Sequence, residues 1–269
     1  MKRTPMLLLV AALLHGSGAA QAHKRWLLPT DFSLSEAETV TVDFSASNNL
    51  FYVDKPMPLD GITIVTPGGE SRAPLNPVQG SRRSSFDVEI GQQGTYRIVA
   101  SGQPVYFSSY RLPGQTEKLH ARGPLEKLRA ELPAQALELQ FARSTALIET
   151  YITLGAETTP VGPQRQQGLA MQPLSHPNSL YSDEVARFRF TLDGEPIAGM
   201  KVVATPEGTR YRDRQLDVSE VTDERGEVGF HWGTAGRYLL EAMAETPQSR
   251  GDIAVQYYNY FVTVEVLAP

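Results

Sequence analysis

The sequence predicts an all-β protein folded as two β-sandwich domains in tandem, with one short helix at most. Three observations predict it. Apolar residues recur in short runs that alternate with polar ones, the period of half-buried strands. Turn residues are dense, with 22 glycines and 19 prolines in 269 residues, and they punctuate those runs at close intervals. The length left after an N-terminal leader suits two domains of ordinary size.

Residues 1–22 read as a signal peptide. Lys2 and Arg3 supply the basic start, and Met6 to Leu14 an apolar core too short to remain as a membrane span. Ala20 and Ala22 occupy the small positions a signal peptidase reads. A cut after Ala22 leaves His23 first, and a cut after Ala20 leaves Gln21 first; the former is favoured. No later stretch is apolar and long enough to span a membrane, so an exported, soluble protein is expected. Loss of Lys2 and Arg3 makes the net charge two units more negative than the full chain's -5. That balance speaks against a nucleic-acid partner. With no cysteine, no disulfide is available, and a metal site would use nitrogen and oxygen ligands.

The first domain is expected over 23–155. Val40, Val42 and Phe44 alternate on one strand, and Phe86, Val88 and Ile90 on another. Gly61 to Thr66 is a strand stopped by Pro67-Gly68-Gly69. Residues 70–83 are polar without period and are expected as a mobile connection. A glycine turn at 91–94 leads into Thr95-Tyr96 and a strand to Ala100, an order common in Ig-like sandwiches. Val105 to Arg111 follows as a strand, then an insertion at 113–136. Within it Leu125, Leu128 and Leu132 have helical spacing, which predicts a helix over 124–132 ended by Pro133. Residues 136–155 read as strand, with helix competing over 134–149. A linker is expected at 156–167, rich in Thr, Pro, Gly and Gln. The second domain, 168–269, shows strands at 169–174, 184–192, 199–204, 215–221, 227–232, 236–242 and 256–267.

Within it, "DGEPIAGMKVVATP" at 193–206, "TDERGEVGF" at 222–230 and "GRYLLEA" at 236–242 resemble the carboxypeptidase-regulatory-like, transthyretin-like sandwich modules. The whole mature chain resembles one exported bacterial family of unknown function. Its members open with Ala-His-x-x-Trp-Leu-x-Pro, here "AHKRWLLP" at 22–29. They carry Gly-Thr-Tyr, here 94–96, and a Pro-x-x-x-Pro segment, here within "PLSHPNSL" at 173–180. The family is labelled the periplasmic component of cobalt or nickel transport systems. The resemblance implies a periplasmic, metal-related role with a membrane transporter component as partner. Where relatives carry an acidic residue before the Pro-rich segment, this chain reads Leu169-Ala170-Met171, which removes one possible carboxylate ligand.

His23 is the leading metal candidate. A terminal amine and an imidazole on one residue form a two-nitrogen chelate suited to Cu(II) or Ni(II). His176 is the second candidate, because Pro177 stiffens its turn. His231, between Phe230 and Trp232, is expected to face away from the core, and His120 to sit in a polar loop. No HExxH, nucleophile elbow or phosphate loop is present, so no catalytic residue is assigned and an enzyme is not expected. The sequence therefore predicts a periplasmic accessory protein that binds Ni, Co or Cu through His23. The alternative is a non-catalytic protein- or carbohydrate-binding module without metal.

Overall fold

The computed structural model describes residues 23–160, 167–248 and 251–269. The leader assigned to 1–22 lies outside them, as do residues 161–166 of the expected linker. The longer strands of the N-terminal half are β1 (Lys24–Pro29), β2 (Glu38–Ser47), β3 (Ile62–Val65), β4 (Leu75–Gln79), β5 (Ser84–Ile90), β6 (Gly94–Ser101), β7 (Val105–Arg111) and β8 (Leu119–Gly123). A short helix, α1 (Leu125–Ala130), precedes the long β9 (Leu137–Leu154). The C-terminal half adds β10 (Leu169–Pro173), β11 (Val185–Leu192), β12 (Lys201–Pro206), β13 (Val218–Val221), β14 (Glu227–His231), β15 (Gly236–Pro247) and β16 (Ile253–Leu267).

These strands form three sheets. A first outer sheet has the order β1-β2-β5-β4, and a second outer sheet joins β10, β11 and β14. Between them lies a long sheet in the order β13-β12-β15-β16-β9-β6-β3, with the β7/β8 hairpin also paired to β9. Its centre is the parallel pair β9 and β16, matched from Phe141 opposite Ile253 to Thr150 opposite Thr263. The all-β sandwich architecture is as expected, and the two sandwiches meet in this shared sheet.

Side-chain alternation explains how one sheet serves both. On β9, Leu147 and Tyr151 point into a core with Phe188, Phe190 and Phe230 of the second outer sheet. Ile148, Ile152 and Leu154 point the other way, into a core with Trp26, Val42, Phe86 and Val88. On the neighbouring strands, Tyr260 and Val262 join the first of these cores, while Phe261 and Leu239 join the second. Each fully buried aliphatic or aromatic side chain contributes about 1.5–3 kcal/mol, so each half stabilises the other through β9, β15 and β16.

Local differences from the sequence reading have plain causes. Residues 75–79, expected in a mobile connection, form edge strand β4, exposed along its whole length. A strand buried on neither face has no alternation to detect. Asn76 takes a left-handed φ of 46° and the register shifts between Leu75 and Val78, so the edge is bulged, and Pro77 removes a donor from it. His120 lies on β8 rather than in a loop. Of the span 134–149 where helix competes, 137–149 is strand, because β9 finds hydrogen-bond partners on β7 and, from Phe141, on β16.

Candidate functional site

His23 leads directly into β1. Its Nδ1 lies 2.6 Å from Asn48 Oδ1, and its Nε2 meets the Lys55 ammonium. Lysine has only protons to give, so Nε2 accepts and Nδ1–H donates to Asn48. The rest of the opening motif docks β1 on the central sheet. Lys24 pairs with Glu241 on β15 and donates to Thr205 Oγ1 at 3.1 Å. Burial raises the Glu241 pKa, and Lys24 offsets part of that rise. Arg25 lies over the Phe261 ring at 5.9 Å. Trp26 is fully buried and meets Phe51 edge-on at 5.7 Å.

His176 holds a different junction. Its Nε2 lies 2.9 Å from Thr95 Oγ1 and 3.1 Å from the Thr158 carbonyl, while Asn178 N–H donates to Nδ1 at 3.3 Å. Those partners place the ring proton on Nε2. Glu157 Oε2 stands 3.5 Å from Nδ1. Buried Asn178 then donates to the carbonyls of Phe32 and Tyr151 and accepts from Thr153 Oγ1. The "PLSHPNSL" segment is thus a clasp between the halves.

The structure does not bring the two candidates together. Lys24 meets Glu241, whose register leads through Phe261 to Ile148, while His176 meets Thr95, which faces Thr153. Five residues of β9 separate those levels, roughly 16 Å at the usual strand rise. His120 and His231 are exposed on other strands. Among the described residues, no group of three His, Cys, Asp or Glu side chains is placed to hold a metal ion. Around His23 the oxygen donor Asn48 favours a cation, and the ammonium of Lys55 opposes one. As arranged, a proton on Nδ1 and Lys55 on Nε2 occupy both ring nitrogens, so a divalent ion would have to displace one of them.

Sequence reasoning missed two features at the seam of the halves. Glu149 on β9 is fully buried. Its Oε2 accepts from Arg97 Nε at 3.2 Å, Tyr151 hydroxyl at 3.0 Å and Tyr260 hydroxyl at 2.6 Å, and its Oε1 from Arg97 Nη2. Burial, then the adjacent carboxylate, pushes both tyrosines well above their ordinary pKa. Burial also works against the Arg97 charge, but Glu149 outweighs it and holds Arg97 above its usual value. A charged residue inside an otherwise apolar run was the available signal.

The second feature is an open cleft of 610 Å³ beside this network. Arg143, Thr145 and Leu147 of β9, Tyr258 of β16, Leu169 and Asp193 line it. Arg143 donates to Gln256 Oε1 at 2.8 Å, and Asp193 Oδ1 accepts from Gly168 N–H at 2.6 Å. Among the described residues, the Tyr258 hydroxyl and the second Asp193 oxygen have no hydrogen-bond partner.

Comparison with known proteins bears on the family. Similar solved structures include the D0-D1 domain of intimin, at 12% identity over 90% of this chain and 97% of that one. The FN1-FN3 domains of chicken CNTN1 share 9% identity over 90% of this chain and 98% of that one. Both have a TM-score of 0.23, too low for any detail of either to be carried over. No curated protein matches the chain. The chain belongs, through residues 20–246, to the family described as Domain of unknown function (DUF4198).

Proposed function

We propose that this protein is a non-catalytic binding module of the periplasm, with the seam cleft as its ligand site. The observation that carries the reading is the cleft itself. It opens between strands of both halves, and its lining offers donors, acceptors and one aromatic ring. Among the described residues its lining holds no histidine, and the one strongly perturbed titratable cluster, around Glu149, is sealed by burial. Both features support binding over catalysis. The test is a panel of neutral oligosaccharides and short peptides, read by thermal shift and by hydrogen exchange at Gly168, Leu169 and Asp193. A probe that raises the midpoint and protects those amides, and does so no longer in Tyr258→Ala, supports the reading. A panel without effect, or protection unchanged in Tyr258→Ala, sinks it.

A second reading is metal capture at His23, the nickel, cobalt or copper role implied by the "AHKRWLLP" resemblance, with a membrane transporter component as partner. Asn48 favours it, since Oδ1 stands beside the ring nitrogen that would close a chelate with a terminal amine. The separate resemblance of residues 193–242 supports a transthyretin-like second sandwich. Here His176 is not a partner ligand, so the site would rest on His23 and Asn48 alone. Exported protein beginning at His23 should then bind Ni(II), Co(II) or Cu(II) at least about tenfold more tightly than protein with one added residue, roughly 1.4 kcal/mol. Equal affinity would remove this reading and leave the first untouched. Mass spectrometry of protein from the periplasmic fraction tests both the destination and the terminus.

A further inference from the structure

The seam cleft holds two opposite charges that do not meet each other. Arg143 and Asp193 both line it, and among the described residues neither side chain forms an ion pair. A chain of contacts joins them. Asp193 Oδ1 accepts from Gly168 N–H at 2.6 Å, and Asp193 N–H donates to the Gly168 carbonyl at 3.1 Å. Gly168 in turn lies beside the Tyr258 ring, since a Cβ on it would stand 3.5 Å from a ring carbon. Tyr258 is opposite Thr145 on β9, and Arg143 is opposite Gln256 on β16. Arg143 and Thr145 are an even step apart, as are Gln256 and Tyr258, so Arg143 and Tyr258 emerge on one face as diagonal neighbours. One ring thus stands beside both charges. The two hydrogen bonds to Gly168 hold Asp193 at a left-handed φ of 53° and leave its second oxygen unused. Arg143 is half-buried, and its bond to Gln256 Oε1 at 2.8 Å uses Nη1 alone. Such a guanidinium has lost water and gained no counter-charge.

We propose that the ligand of this cleft is a short peptide with free termini, an inference that rests on the cleft being a ligand site. The terminal ammonium meets Asp193, the terminal carboxylate meets Arg143, and the Tyr258 ring packs against the peptide. Charge decides among the ligand classes. A neutral sugar leaves both charges unanswered. A phosphate answers Arg143 and is repelled by Asp193, and a simple amine does the reverse. A ligand with opposite charges at its two ends answers both. A guanidinium takes a carboxylate by paired, charge-assisted hydrogen bonds. An ammonium needs acceptors, and the free Asp193 oxygen and the Tyr258 hydroxyl supply them. The volume of 610 Å³ lies within the range of small-ligand sites.

The test uses the chain beginning at His23, with dialanine and trialanine as probes and calorimetry at constant ionic strength as the readout. The same peptides with an acetylated amine or an amidated carboxylate are the controls, and neutral oligosaccharides are run beside them. At least one free peptide should bind, and either blocking group should weaken it at least about tenfold. Asp193→Asn keeps an oxygen for Gly168 N–H and tolerates the left-handed backbone. It should weaken the free peptide at least about tenfold and leave the N-acetylated one unchanged. Arg143→Gln should likewise weaken the free peptide and leave the C-amidated one unchanged. Blocked peptides that bind as tightly as free ones, or full affinity in Asp193→Asn, overturn the proposal. Oligosaccharides that protect the Gly168, Leu169 and Asp193 amides while no peptide binds also overturn it, and leave the cleft reading standing. Silence from every probe removes both.

Discussion

Glu149 shows at the scale of one residue why a buried charge survives here. Its carboxylate loses water entirely, and four donated hydrogen bonds replace it. Removing one partner strands the others, so Glu149→Ala should cost about 3–5 kcal/mol in urea unfolding. Tyr260→Phe removes one donor of four and should cost about 1–3 kcal/mol. Equal effects of the two substitutions would mean that the network is not centred on the carboxylate. The tyrosines add a pH dependence. Their folded pKa values are raised, so they retain protons where unfolded tyrosines, near 10, lose them. Their stabilisation is present below about pH 10 and is lost as pH rises through the folded values. Tyr151→Phe with Tyr260→Phe should flatten that alkaline loss, and an unchanged profile would assign it to other groups.

The scale of the element is best seen in the turn Thr222–Gly226. Asp223 Oδ1 accepts from the backbone N–H of Arg225 and of Glu227, both at 2.9 Å. Those bonds lead the causes that hold the exposed Asp223 carboxyl below its ordinary pKa. Thr222 Oγ1 accepts from Met200 N–H at 3.0 Å and donates to the Ile197 carbonyl at 2.6 Å, tying the hairpin to the strand before it. Gly226 takes φ of 73°, and a Cβ there would stand 2.2 Å from the Phe190 carbonyl oxygen. Gly226→Ala should therefore lose at least about 1–2 kcal/mol from the left-handed backbone alone, with the clash adding to it. A variant as stable as the native protein would show that the turn relaxes freely. The pattern Thr-Asp-x-x-Gly was legible because each of its bonds closes within a few residues or one hairpin. The outward His231 was legible for a similar reason, since Phe230 and Trp232 on either side are buried.

At the scale of the whole molecule, the question is whether the halves behave as separate bodies. The parallel pairing of β9 with β16 and the two cores that borrow across it argue for one cooperative unit. Cleavage within 156–167 should leave both fragments co-eluting in gel filtration, and thermal unfolding should show a single transition. Fragments that separate, or two resolved transitions, would mean that the halves are independent domains. Residues 168–269 expressed alone would lack β9 beside β16 and should aggregate through that open strand edge.

What the sequence alone determined is whatever repeats at short range. Alternation on β2 and β5 marked strands because one side of each faces a core, and leucine spacing marked α1 within a residue or two of Leu125–Ala130. Alternation reports that a face is buried and not what buries it. Only the tertiary structure therefore decided that β9 lies beside β16, that Glu149 meets Tyr260 across 111 residues, and that His176 serves a clasp far from His23. In the sequence, Lys24, Arg25 and Trp26 stand only as members of the opening motif. Packed, they hold β1 to the sheet, through Glu241, Phe261 and the core around Trp26.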